Sequence, residues 1–149
     1  MTSLNKDKYQ ETASLIVLEW LTTCFVSSNV NIRGYYERID NALEKPRVSV
    51  LLHETAQQST GAGRNNTNSY FRWMIAPIEI MVNKDSSGQN QLNLIRLSDT
   101  LMKYAKSITT GTPYLGSLGL HRAELTGANT GHTDKFLRHI HYLKFRIEV

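Results

Sequence analysis

The C-terminal segment constrains the fold more than any other part of this sequence. Lys135 to Val149 is predicted to form a long strand, because apolar and charged side chains alternate along its end. One side carries Leu143, Phe145, Ile147 and Val149, and the other carries Lys144, Arg146 and Glu148. A strand with one buried and one solvated face needs a sheet around it. Because it runs to Val149, it is also expected to be able to add to the sheet of another subunit.

Other strands are predicted at Arg47–His53, Tyr70–Val82 and Leu118–Leu125. The second is the most apolar stretch of the chain, and its apolar residues fall on both parities, which indicates a strand covered on both faces. Pro77 lacks the N–H group that a ladder needs, so a bulge or an edge position is expected there. Glu79 is expected at a subunit contact or a sheet edge rather than as an acid catalyst.

Helical periodicity predicts helices at Asp7–Val26, at Tyr35–Leu43 before the helix-stopping Pro46, and at Gln91–Ile108. Gln57–Ser69 and Gly127–Thr133 are rich in Gly, Asn, Ser and Thr and are predicted to be loops, the first long and exposed. The predicted order is α-α-β-β-α-β-β. We therefore expect an α+β fold, with a mostly antiparallel sheet of about four strands and helices packed on one face.

Composition narrows the class of protein. The 149 residues, 40% hydrophobic and 20% charged, predict one globular domain over 1–149 rather than a disordered chain. The net charge of +4 permits nucleic-acid contact without indicating it. The single cysteine, Cys24, excludes an internal disulfide framework. No targeting signal is visible and Leu15–Leu21 is too short to span a bilayer, so the expected location is a cytosol or a particle assembled there.

Histidines suggest a metal hypothesis. His139 and His141 lie two apart on the predicted last strand and share a face, and His121 and Asp134 could complete a ligand set. Nothing in the sequence brings the four residues together. The favoured interpretation is that the two strand histidines are partly buried polar positions on the core face, or lie at a subunit seam. No metal and no cofactor are expected.

Nucleophilic and phosphate chemistry are not expected either. Cys24 lies in an apolar helical stretch, where a free cysteine is usually a small buried hydrophobe. Gly61–Arg64 is only partly like a phosphate loop, because the G-x-x-x-x-G-K-[ST] pattern is missing. Acidic side chains are scattered over different elements. The chain is therefore predicted not to be an enzyme.

The whole layout is similar to that of a known family. A helical start is followed by PRVSVLLHE, a Gly/Asn-rich loop, YFRWMIAPIEIMVNKD, the helix NLIRLSDTLMKYA and the final strand HIHYLKFRIEV. In this order and length the chain resembles the tail terminator (tail completion) proteins of long-tailed bacteriophages. The helix carries an L-x-D-x-L-like core, here Leu97-Ser98-Asp99-Thr100-Leu101.

The resemblance implies a structural virion protein, assembled in the host cytoplasm and located at the tail–neck junction. Such proteins form a homohexameric ring that caps the tail tube, ends tube growth and meets the neck (head-completion) protein and, in contractile tails, the sheath. Genomic DNA passes through the lumen. We expect the long loop, at Arg64, Asn65 and Asn66, to contact the tube or the lumen. Arg138, Lys144 and Arg146 share one strand face and are expected at a subunit seam or lining the lumen, where non-specific DNA contact needs only positive charge.

Alternatives stay open. The nearest is a neck or head-completion protein, also a ring, that docks on the portal. A small metal-dependent enzyme using His121, His139 and His141 and a nucleic acid-binding regulator belong to other classes. Bound metal would distinguish the enzyme, and sequence-selective duplex binding that survives moderate salt would distinguish the regulator.

Overall fold

The computed structural model describes residues 2–34, 41–50, 56–59, 71–109 and 114–148. These residues form a single α+β domain, which confirms the predicted class. The strands are β1 (Asn31–Arg33), β2 (Arg47–Val50), β3 (Ala56–Ser59), β4 (Phe71–Asn83), β5 (His121–His132) and β6 (Phe136–Glu148). The helices are α1 (Tyr9–Cys24), α2 (Gln89–Thr109) and α3 (Tyr114–Ser117), with a short 3-10 turn at Lys6–Lys8 before α1.

The sheet is six-stranded, with the order β1-β2-β4-β6-β5 and with β3 paired to β4. Only β1 and β2 pair in parallel; the other described pairs are antiparallel. The two longest strands, β4 and β6, pair without a register shift from Phe71 opposite Glu148 to Asn83 opposite Phe136. This long ladder is the centre of the molecule. The prediction of about four strands was too low.

One face of the sheet, here called the helix face, holds the core. On β4 it carries Met74, Ala76, Ile78, Ile80 and Val82, all of which belong to the buried apolar cluster. Their β6 partners include Leu143 and Phe145, and β2 adds Val48 and Val50. All three helices contribute buried residues to the same cluster, which places them on this face. The predicted alternation of β6 is confirmed.

Side-chain hydrogen bonds fix the start of α2. The Asp85 carboxylate accepts hydrogen bonds from the Ser87 hydroxyl (2.9 Å) and from the backbone N–H of Asn90 (3.2 Å), and the Ser87 hydroxyl accepts one from Gln89 N–H. These bonds satisfy N–H groups that have no partner within the helix. Buried Leu94, Leu97 and Leu101 then face the sheet. The helix predicted at Gln91–Ile108 is observed at Gln89–Thr109.

Several boundary predictions were wrong. The loop predicted at Gly127–Thr133 is part of β5 as far as His132, where register shifts and the positive φ of Gly127 (59°) let the chain bulge and keep pairing with β6. The loop predicted at Gln57–Ser69 begins inside β3, and residues 60–69 lie outside the described ranges. In the helix predicted at Tyr35–Leu43, residues 41–43 are not helical, and residues 35–40 lie outside the described ranges.

The positions of β4 and β6 correct three other expectations. From Leu137 to Arg146, β6 lies between β4 and β5, so this part of the strand has no edge to offer another subunit's sheet. β4 is also internal, so Glu79 is not at a sheet edge. Pro77 causes no bulge against β6; on the other side it lies between the position paired with β2 (Ile78) and the position paired with β3 (Ile75).

Candidate functional site

The second face of the sheet, here called the far face, carries a mixed polar and aromatic surface. It consists of the β4 residues that alternate with the core and of their neighbours on the other strands. From β4 it includes Trp73, Ile75, Pro77, Glu79 and Met81; from β2, Arg47 and Ser49; and from β6, Arg138, Ile140, Tyr142, Lys144 and Arg146. The predicted basic residues Arg138, Lys144 and Arg146 therefore lie together on this face.

A buried acid between two arginines is the main electrostatic feature of the far face. The Glu79 side chain is 2% exposed; its Oε2 lies 3.3 Å from Arg138 Nη1 and its Oε1 lies 3.7 Å from Arg47 Nη2. Arg47 is 5% exposed and Arg138 41% exposed. A buried carboxylate is tolerated only when it is paired, and the two arginines on neighbouring strands provide that pairing.

The same place holds buried polar atoms without a hydrogen-bond partner. Five such atoms occur among the described residues, and three of them lie here: Arg47 Nε, Ser49 Oγ and Glu79 Oε1. Ser49 lies directly opposite Glu79 in the β2–β4 register, and Arg47 precedes it on the same face. Orphaned polar atoms are rare in folded proteins and are costly. The cluster therefore makes the register of β2, β4 and β6 depend on electrostatics as well as on packing.

Lys144 of the far face also has matching neighbours. Lys144 Nζ lies 4.7 Å from the ring centroid of Trp73, a cation–π distance, and Glu124 of β5 lies opposite Lys144. The Tyr142 hydroxyl accepts a hydrogen bond of 2.9 Å from Asn129 Nδ2. The far face is thus divided into two parts. Arg47, Ser49 and Glu79 form a buried charged cluster on β2 and β4, while the far-face residues of β6 are partly exposed.

A separate polar cluster lies within the helix face. Ser98 of α2 is within hydrogen-bond distance of His139 Nδ1 (2.8 Å) and of His141 Nε2 (3.2 Å). One hydroxyl can donate to only one of these nitrogens, so the other histidine must donate to Ser98 Oγ. Burial lowers the pKa of both histidines, and the nearby His139 lowers that of His141 further. This confirms the interpretation of His139 and His141 as satisfied polar positions on the core face.

The metal set suggested by the sequence is not brought together. His121 lies opposite Arg146 on the far face, whereas His139 and His141 point to α2 on the other face of the sheet. Among the described residues, no group of three or more His, Cys, Asp or Glu side chains could hold a metal ion. The sheet face on which His121 lies could not be predicted by alternation along the sequence, because the register of β5 against β6 shifts between His121 and Glu124.

Cys24 and the long loop complete the predicted positions. Cys24 is buried, and burial raises the pKa of its thiol to about 12, so it is the inert buried side chain that the sequence predicted. Arg64, Asn65 and Asn66 lie outside the described residues. The sequence did not identify Arg47 as a partner of Glu79 or Ser98 as a partner of the two histidines. The only signal of the far-face cluster was an acid, Glu79, within an apolar strand.

Comparison with protein-family models and with curated protein sequences finds no match to this chain. Within the described ranges, no helix combines the length and the apolar character needed to cross a membrane.

Proposed function

We propose that this chain is a structural virion protein, a tail terminator that assembles as a homohexameric ring on the end of a phage tail tube. The observation that carries the proposal is the two-sided sheet. One face is closed by three helices over a continuous core, while the far face holds charged and aromatic side chains in fixed positions. A surface ordered in this way fits recognition between building blocks, and the layout of the chain is similar to that of the terminator family.

Termination then has a simple physical basis. One side of the ring reproduces the docking surface of the tube, and the opposite side does not, so that no further tube subunit adds. A heterologous contact repeated around an axis closes into a ring when the rotation between neighbours allows it. Whatever positive charge each copy turns to the lumen is multiplied by the number of subunits, and contact with phosphates needs no base recognition.

The far-face arginines and Lys144 remain our candidates for a seam or a lumen lining. Arg138 is the most suitable for contact with DNA phosphates, because its side chain is 41% exposed although it is anchored by Glu79. In a lumen lined by Arg138, the guanidinium groups of all copies in one ring would lie at the same level along the ring axis. Lys144 and Arg146 would contribute less, since Trp73 and the opposing strand β5 surround them.

Tail assembly in the absence of the protein tests the proposal. We expect overlong tail tubes by electron microscopy when particles are assembled without this chain, and tubes of normal length when the purified chain is added back. Tails of normal length, detached from leaking heads, would instead identify a neck or head-completion protein. Rings seen by electron microscopy of the isolated protein would support the ring, and normal particles without the chain would reject the virion assignment.

A further inference from the structure

The two long helices carry opposite charge. Within its bounds α1 contains Glu11 and Glu19 and no Lys or Arg, a formal charge of −2. α2 contains Arg96, Lys103 and Lys106 against the single acid Asp99, a formal charge of +2. Glu19 accepts hydrogen bonds from the backbone N–H (3.1 Å) and the hydroxyl (2.6 Å) of Thr2, and these bonds lower its pKa.

Both helices also expose large apolar side chains. On α2, Leu92, Ile95 and Met102 are 41%, 44% and 51% exposed, and on α1 Leu15 is 39% exposed. The three α2 residues are spaced by three and seven positions, so they lie along one side of the helix, away from buried Leu94, Leu97 and Leu101. Exposed Lys103 borders this stripe, and exposed Asp99 lies within it, between Ile95 and Met102. On α1, exposed Glu11 lies one turn before Leu15.

The charges determine which surfaces can meet. Two α2 helices brought together would combine charges of +2 and +2, and two α1 helices would combine −2 and −2, so each like pairing is opposed by repulsion. An α1 helix against an α2 helix cancels the charge and can cover the apolar side chains of both. Electrostatic complementarity of this kind selects the partner and the register more than it adds affinity.

We propose that α1 of one copy of this chain docks against the exposed side of α2 of a second copy, through Glu11 and Leu15 on one helix and Ile95, Met102 and Lys103 on the other. Formed once between neighbours, this contact is heterologous and can close into a ring; formed twice about a twofold axis, it would give a dimer instead. It rests on the proposed function, in which it forms the subunit seam. The seam then lies in the helical layer, and the partly exposed β6 residues of the far face stay available for the lumen or the tube.

A charge swap tests the contact. Association of the full chain is measured by sedimentation velocity and native mass spectrometry over a wide concentration range. We expect Glu11→Lys, and separately Lys103→Glu, to raise the dissociation constant about tenfold or more, equivalent to about 1.4 kcal/mol. Combining the two substitutions puts opposite charges back at the two contacting positions and should restore the affinity to within about threefold of the wild type. Glu44→Lys makes the same chemical change at an exposed position outside both helices and should leave association unchanged.

The apolar part of the contact is tested by Ile95→Ser with Met102→Ser. Both side chains are exposed, so we expect the thermal midpoint to stay near that of the wild type while association weakens. Three results would overturn the proposal: a wild-type chain that stays monomeric at every concentration, reversed variants that associate normally, or a combined variant that is no better than its parents. Tail length decides the proposed function independently, since a chain can cap tubes through a different seam.

Discussion

The buried acid of the far face gives the sharpest prediction about stability. Glu79 and Arg47 are 2% and 5% exposed, so removing Glu79 leaves the buried Arg47 without its acid, whereas removing Arg47 leaves Glu79 paired with Arg138 alone. Arg47→Met should lower the free energy of unfolding by about 1–3 kcal/mol, and Glu79→Met by about 3–5 kcal/mol. The loss at Glu79 is a large part of the about 5–15 kcal/mol that stabilises a typical domain. Arg138→Met removes the hydrogen bond of 3.3 Å to the buried Glu79 Oε2 and leaves Glu79 with Arg47 alone, so it should also cost about 1–3 kcal/mol.

The double variant provides the test. Replacing Arg47 and Glu79 together by Met removes both buried charges and the orphaned atoms Arg47 Nε and Glu79 Oε1, so the loss should shrink to about 0–2 kcal/mol. Urea unfolding followed by tryptophan fluorescence and circular dichroism gives the four values, with unchanged m-values as the check on two-state behaviour. The reasoning is refuted if the two single losses simply add, or if Arg47→Met or Arg138→Met costs as much as Glu79→Met.

Other predictions concern the core and one turn. Burial holds the pKa values of His139 and His141 below the ordinary value of about 6.5. The stability that the two neutral histidines contribute is therefore complete above that pH and is lost as the pH falls toward their pKa values in the folded protein. The urea midpoint should decrease as the pH is lowered from 7.5 to 5.0, and a flat profile would contradict this. Leu101→Ala, at a fully buried position, should lower the free energy of unfolding by about 2–5 kcal/mol, while Leu92→Ala, 41% exposed, should stay within about 0.5 kcal/mol. Gly119→Ala should cost about 1–3 kcal/mol in the same assay, because φ is +105° and the added Cβ would lie 2.8 Å from Leu4 Cβ; an unchanged midpoint would refute the strain.

The elements that were predicted well are those whose own residues determine them. β6 alternates strictly at its end, and α2 carries a leucine stripe at helical spacing, so each pattern shows by itself which side chains are buried. β3 and the second half of β5 could not be found in this way. Their Gln, Asn, Gly and Thr residues have no apolar period, and they are strands because β4 and β6 supply a backbone ladder far away in sequence.

The same limit applies to the sites. Strand parity was enough to place Arg138, Lys144 and Arg146 on one face. It could not predict that Glu79 would meet Arg47, because that contact depends on the register between β2 and β4, which the packing of the whole sheet decides. It also misled the metal hypothesis, since the shifted register of β5 turns His121 away from the two β6 histidines.

The irregular outermost strand influences how copies of this chain can meet. β5 slips its register between His121 and Glu124 and again between Thr126 and Ala128, with left-handed backbone at Arg122 and Gly127. A strand from another copy that approached the β5 edge would meet an interrupted row of backbone donors and acceptors, so continuous strand pairing into a fibre is unfavourable there. Growth by backbone pairing is discouraged at this border, which favours association through side chains, whose number and geometry can limit an assembly to a finite size.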